Sequence, residues 1–424
     1  MSLPQLSSNL RRLSRMDMPG GGQVIVEGRY AYVGHMKPPH GTTIIDVSDP
    51  RAPRIVGQIT LPDSRSHTHK VRVTGDIMVT NVEQNERHLM RRGSRIPAAE
   101  AALAARLGRP PSEEEIAAEI KVKPAVMPKL RASLAEPYTE GGFKIYDIRD
   151  RSNPKLLHYQ KTFGFGTHRF DLDANYAYIS TEMEGYVGNI LVIYSLADPA
   201  RPVEVSRWWM PGQHVAGGEV PSWEGYKNRL HHTLRSGDQL FASVWNAGLR
   251  VIDVSDITKP TTVGAYNYHP PFPEPTHTVM KIPFPLKGRE VVAVVDEEHD
   301  HVPGQLHAGL WLFDVGDLKA IKPISMFHVS EMDSPYSRVP GGRFGAHQFQ
   351  EKMVDTRLYI AWFSGGLRVV DIADPERPTE VGYFIPEPCP GHASPQSNDV
   401  DLDDRGLIYL LDRDRGLDIL EMTA

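Results

Sequence analysis

Six times along this chain an apolar, β-branched run leads into an aspartate-rich turn closed by proline. The copies are TTIIDVSDPRAPRIVG (42–57), FKIYDIRDRSNPKLL (143–157), LVIYSLADPARPVEV (191–205), LRVIDVSDITKPTTVG (249–264), LWLFDVGDLKAIKPI (310–324) and LRVVDIADPERPTEVG (367–382). A shortened copy, LDILEM, follows at 417–422. Aspartate bonds the backbone of its own turn and proline presets φ, so the phrase encodes two strands joined by a tight turn. Ahead of each copy lies another strand pair, ending in runs such as GRYAYVG (28–34), NYAYIST (175–181), REVVAVV (289–295) and GLIYLLD (406–412). Seven units of four short strands result, with a period of roughly 50 residues once one insertion is set aside. This pattern predicts an all-β chain, a seven-bladed β-propeller forming one domain over residues 1–424. The last unit lacks an outer strand, which the segment near residues 1–20 is expected to supply. A pair of β-sandwiches would leave the repeated phrase unexplained.

Composition agrees. Among 424 residues there are 36 Gly and 35 Pro, an excess that suits many tight turns. The net charge of −6 lacks the basic field that nucleic-acid or membrane-surface binding requires. The single cysteine, Cys389, excludes a disulfide framework and a cysteine-rich zinc site. No apolar leader opens the chain, and no apolar run approaches ~18 residues. The expectation is a cytoplasmic protein with no nucleic-acid or membrane partner. Nucleotide-binding glycine motifs, GxSxG and HExxH are absent as well.

The repeated IDVSDPxxP phrase resembles that of the LVIVD-repeat proteins, a family of expected propellers with mostly unassigned activity. A local resemblance links HTHKVRVTGDIMVTN (67–81) and GGFKIYDI (141–148) to the selenium-binding protein and methanethiol oxidase family. That second resemblance implies a propeller with histidine and metal chemistry. Cys389 lies outside the stretch, so it implies no cysteine-dependent property.

The first strand of each unit carries the main chemical signal. Aligned by the phrase, these strands read THKVRV, THRFDL, HHTLRS, THTVMK and AHQFQE in units two to six. The shared position holds His69, His168, His232, His277 and His347, with Gly22 in unit one and Asn398 in unit seven. The first strand of a propeller blade lines the central channel, so equivalent positions form a ring at one height. Converging neutral imidazoles, with no carboxylate expected at that level, suit iron, manganese, copper or zinc, iron foremost. Calcium and magnesium prefer oxygen. Three or four of the imidazoles would suffice. The competing reading is a structural staple, each Nδ1–H bonding the backbone of a neighbouring blade.

Loops entering the first strand and loops joining the second and third strands emerge on one face, around the column. Long insertions concentrate there, at 34–41, 181–188, 210–228, 296–309 and 330–346. In DEEHDHVPGQLH, Glu297, Glu298 and His299 are candidate general acids or bases, and Asp296, Asp300, His301 and His307 are close by in sequence. Arg169, Arg235 and Arg343 could hold a carboxylate substrate, and His67 and His231 could contact substrate or move protons. An insertion at 88–137 in the second unit has helical periodicity, with a capping box from Ser112 to Glu115 and a further helix from Pro124 to Leu134. It resembles a helix-turn-helix piece of bacterial sigma factors but lacks a basic recognition helix, so a lid or a contact between subunits of a homo-oligomer is the expectation. Together these features predict a metal-dependent enzyme that oxidises or oxidatively cleaves a small-molecule substrate. A metal-assisted lyase or hydrolase, and a non-catalytic propeller scaffold, remain the alternatives.

Overall fold

The computed structural model describes residues 5–299 and 301–423; Asp300 lies outside them. Seven antiparallel sheets follow one another along the chain. Blade one comprises Gly21–Glu27, Tyr30–His35, His40–Asp46 and Arg54–Thr60. In blade two the innermost strand is broken into Ser66–His67 and Val71–Thr74, both paired with Ile77–Gln84, and Gly142–Asp147 and Lys155–Lys161 complete the sheet. Blades three, four and five begin at Thr167, His232 and Thr276 and end at Trp208, Tyr266 and Phe327. Blade six runs from Gln348 to Ile385, with Gln5–Leu6 added as a fifth strand. Blade seven contains Ser397–Leu402, Ile408–Asp412 and Gly416–Met422. Its outer strand is Leu10–Asp17, paired antiparallel with Gly416–Met422. Residues from both ends of the sequence thus close the ring, as the missing strand required.

The aspartates act locally as the phrase demands. Asp46, Asp147, Asp253, Asp314 and Asp371 each accept the backbone N–H two residues on, at 2.8–3.0 Å. The alternating apolar residues pack between blades, leaving one apolar seam at each of seven blade junctions. At the closing junction Val24, Val26, Val33 and Ile45 of blade one meet Tyr409, Leu411, Leu417 and Ile419 of blade seven. Each such buried aliphatic side chain contributes ~1.5–3 kcal/mol relative to exposure, so closure is driven by the same packing as every other junction.

Between the second and third strands of blade two stand helices Arg87–Gly93, Ile96–Leu107, Glu113–Glu119 and Met127–Ala135. Ser112 accepts from the Glu115 backbone and Glu115 returns a bond to the Ser112 N–H, the reciprocal cap expected there. The helices hold their own core of Ile96, Leu103, Ile116 and Leu130. The first helix begins beside the channel mouth, where Arg87 is buried. Among the described residues no helix is long and apolar enough to cross a membrane.

Candidate metal centre

Strand register decides which residues share a level. Arg169 pairs with Ser180, His232 with Ser243, Thr278 with Val295, Gln348 with Ala361, Asp399 with Leu411 and Gln23 with Gly34. These pairs sit at one position of the repeat, and the Asn81 backbone donates to the Lys70 carbonyl at the same position of blade two. The residue preceding each is then Gly22, His69, His168, His231, His277, His347 or Asn398. The column therefore runs through His231, not His232. The double histidine of blade four shifts the alignment by one residue, and a one-residue shift moves a strand side chain to a different environment. His232 belongs one level down, where its Nδ1 accepts from Arg169 Nε at 3.1 Å.

The rings form a continuous arc. Successive centroids lie 4.3 Å apart for His67–His69, 5.2 Å for His69–His168, 4.8 Å for His168–His231, 4.1 Å for His231–His277 and 4.3 Å for His277–His347. Two carboxylates stand among them, contrary to the expectation of an acid-free level. Glu297 Oε2 lies 3.8 Å from His277 Nε2 and 3.2 Å from His299 Nε2, and its Oε1 lies 3.7 Å from His347 Nε2. Glu83, on the second strand of blade two, faces His67 Nε2 at 3.0 Å and His168 Nδ1 at 3.1 Å, and pairs with Arg87. Ligand atoms of His231, His277 and Glu297 lie within 4.8 Å of one another, as do those of His67, His69 and Glu83.

Burial holds His69, His168, His231, His277 and His347 well below the ordinary histidine range, so the rings are neutral. Burial alone would raise Glu83 and Glu297. Arg87 beside the first and His299 beside the second outweigh it, and both stay ionised.

A neutral imidazole has one N–H and one lone pair, and its outer partner decides which nitrogen points inward bare. His231 Nδ1–H donates to the His277 carbonyl at 2.7 Å, and His347 Nδ1–H donates to the Asn398 carbonyl. Thr278 gives its hydroxyl hydrogen to Gln348, so it accepts from His277 Nδ1–H at 3.0 Å. His168 Nδ1–H donates to Glu83. All four rings consequently turn a bare Nε2 inward. In His231 and His347, stapling to the next blade and presenting a lone pair to the axis are the two ends of the same ring. His168 Nε2 and His231 Nε2 lie 3.0 Å apart, and two lone pairs at that distance repel unless a proton or a metal cation stands between them.

His69 differs. Asn81, fixed by accepting from Lys70 N–H and donating to the Thr167 carbonyl, also donates to His69 Nδ1 at 3.1 Å. The proton of His69 is thus on Nε2, facing Glu83 at 3.9 Å. His67, Nδ1 toward the Met36 carbonyl at 3.2 Å, completes a hydrogen-bonded cluster on Glu83.

A cavity of about 270 Å³ opens over the arc, lined in part by Met36, Arg87, His168, His277, Glu297, Arg343, His347, Asn398 and Arg413. Arg343 lies here, donating to Glu297 at 2.8 Å. Arg169 and Arg235 lie elsewhere. Arg169 is fully buried one level down and bonds Glu351 at 2.7 Å. Arg235 pairs with Asp173 at 2.8 Å beside a second cavity, lined also by Arg72, Lys281 and Glu351. Glu298 turns away from the arc and accepts from His301, His307 and the Ala308 N–H. Glu83, Arg87 and Arg413 had no repeat signal to mark them, because each occurs in one blade alone.

The LVIVD repeat family matches residues 21–60, 236–268 and 358–385, in blades one, four and six. Across its length the chain is similar to the computationally designed Ika8 protein, at 7% identity, covering 96% of this chain and 98% of that one, TM-score 0.50. It is also similar to the periplasmic gluconolactonase PpgL of Pseudomonas aeruginosa, at 10% identity, covering 87% and 89%, TM-score 0.51. No curated protein sequence matches the chain. The fold is thus a seven-bladed propeller carrying LVIVD repeats.

Proposed function

We propose that this protein is a metal-dependent enzyme whose transition metal is held at the top of the propeller axis by Nε2 of His231 and His277 and by Glu297. His168 and His347, with bare Nε2 atoms on either side, complete the shell. The observation that carries this reading is the accounting of imidazole hydrogens: four buried neutral rings turn lone pairs inward, two of them 3.0 Å apart. The donor set of imidazoles and one carboxylate fits iron, copper, manganese or zinc, with iron favoured.

A redox-active ion in this set would supply one-electron and oxygen chemistry, so oxidation or oxidative cleavage of a small organic molecule is the leading reading. Around it the chain's own groups have separate tasks. Arg343 orients Glu297 by donating to its Oε1. Glu83, through the Nδ1–H of His168, fixes that ring's tautomer. His299, its Nε2 3.2 Å from Glu297, is the nearby imidazole placed to exchange a proton with that carboxylate. The mixed imidazole–carboxylate set favours a second reading as well, metal-assisted hydrolysis or elimination with zinc as Lewis acid.

Elemental analysis of untagged protein, with its ultraviolet-visible spectrum, tests the proposal. About one equivalent of a transition metal per chain is expected, coloured for the oxidative reading and colourless zinc for the hydrolytic one. His277→Ala and His231→Ala should empty the site, and His232→Ala should leave it filled. Metal-free wild-type protein after purification in metal-supplemented medium would return the molecule to the class of scaffold propellers.

A further inference from the structure

Among the described residues lining the cavity over the histidine arc, Arg87, Arg413 and Asn398 each carry a buried polar atom without a hydrogen-bond partner, and Arg87 alone of the three is held in an ion pair, so two groups stand out. The first is the Arg413 guanidinium. The other wall guanidiniums are committed, Arg87 to Glu83 and Arg343 to Glu297. Among the described residues Arg413 forms no ion pair, although Glu297, Asp414 and Asp412 are close enough to favour its charge, and its Nε is buried with no acceptor. Its neighbour is the Phe363 ring, 5.6 Å from Cζ to centroid, and Arg343 stacks on the same ring at 4.8 Å. Two cations are thus gathered on one aromatic ring. Asp412, one of the two aspartates flanking it in sequence, is occupied by the N–H groups of Gln396, Asp414 and Arg415. Asp414 stands at the rim, 3.8 Å from His392. Burial, and then Arg343, lower Arg413 to about 10, so it remains a cation at neutral pH.

The second group is Asn398, the residue that replaces histidine in blade seven. Its Nδ2 donates to the Gly22 carbonyl at 2.8 Å, which aims Oδ1 as an acceptor. That oxygen is buried and accepts nothing. A buried guanidinium without an acceptor and a buried amide oxygen without a donor each cost free energy unless a ligand supplies the complement.

We infer that the cavity binds a small carboxylate bearing a hydroxyl group, with the carboxylate on Arg413 beside Arg343 and the hydroxyl hydrogen on Asn398 Oδ1. A planar fork suits a carboxylate as an ammonium does not. The hydroxyl oxygen then faces the histidine arc, where the proposed metal would stand. The cavity volume of about 270 Å³ fits a ligand of a few carbons. This inference names the substrate class for the enzyme proposed above and rests on the cavity being its substrate site.

Calorimetric titration with lactate, propionate and lactamide tests it, on metal-loaded protein and on protein stripped by a chelator. Lactate should bind best, propionate several-fold more weakly, and lactamide not measurably. Arg413→Gln should weaken both acids at least tenfold, while Arg413→Lys retains part of the binding. Asn398→Ala should bring lactate down to the affinity of propionate. Lactamide binding as tightly as lactate, or lactate binding unchanged in Arg413→Gln, would overturn the inference. The two proposals fail separately. Arg413-dependent binding of carboxylates to stripped protein survives if no metal is ever found, and a stoichiometric metal with no carboxylate affinity would sink the hydroxy-acid reading alone.

Discussion

His231 and His232 are adjacent in sequence, yet only the first takes the column position. Its outer nitrogen is stapled to the His277 carbonyl and its inner nitrogen faces His168. His232 faces Arg169 instead. Asn81 removes His69 from the ligand set by the opposite means, donating where the other rings find an acceptor. Another buried imidazole, His35, shows what neutrality costs in acid. Nδ1–H donates to the Pro19 carbonyl at 2.9 Å, Nε2 accepts from Thr43 at 2.7 Å, and burial lowers the group to about 4. A histidine depressed in the fold relative to ~6.5 in the unfolded chain contributes stability above pH 6.5 that is lost as pH falls through 4. Between pH 7.5 and 4.5 that loss is about 2.5 kcal/mol. Urea unfolding of wild type and His35→Gln should show the wild-type advantage shrinking by this amount, and a constant difference across the range would contradict it. Repetition made five histidines visible in the sequence, but it also misplaced one of them, because spacing from a phrase cannot detect a register shift within a blade. Glu83 and Arg413 were not legible in the repeat, since a residue unique to one blade has no echo elsewhere in the chain.

At the scale of elements, the strand Leu10–Asp17 does the most for the least length. It gives Gly416–Met422 its outer partner, and Leu10 enters the seam with Leu420 and Phe384. Removing residues up to Asp17 would expose that edge strand and leave the ring open. We expect such a truncation to unfold at least about 10 °C below the full chain by differential scanning calorimetry. An unchanged transition would mean that the ring does not depend on this closure. The strand was readable beforehand only by subtraction, as the partner the seventh unit lacked. The capping box at Ser112 was readable directly, because its two hydrogen bonds depend on residues three apart. The path of the helices back to the channel mouth was not readable, since it depends on tertiary pairs such as Arg91 with Glu182 and Asn189.

The whole molecule is a rigid ring that brings equivalent positions of successive blades to one axis and then departs from equivalence there. Glycine, five histidines and asparagine occupy the same level, and the asparagine lines the cavity that Arg413 and Arg343 also line. Seven similar seams hold the frame, while the loops on one face supply Glu297 and Arg343 and the first inserted helix supplies Arg87. A crystal of the metal-loaded protein, measured above and below the absorption edge of the metal found by elemental analysis, tests this account most directly. The prediction is a single anomalous peak about 2.0–2.3 Å from Nε2 of His231 and His277 and from a Glu297 oxygen. A peak on the His67–Glu83 side alone, or no peak within reach of any imidazole of the arc, would contradict it.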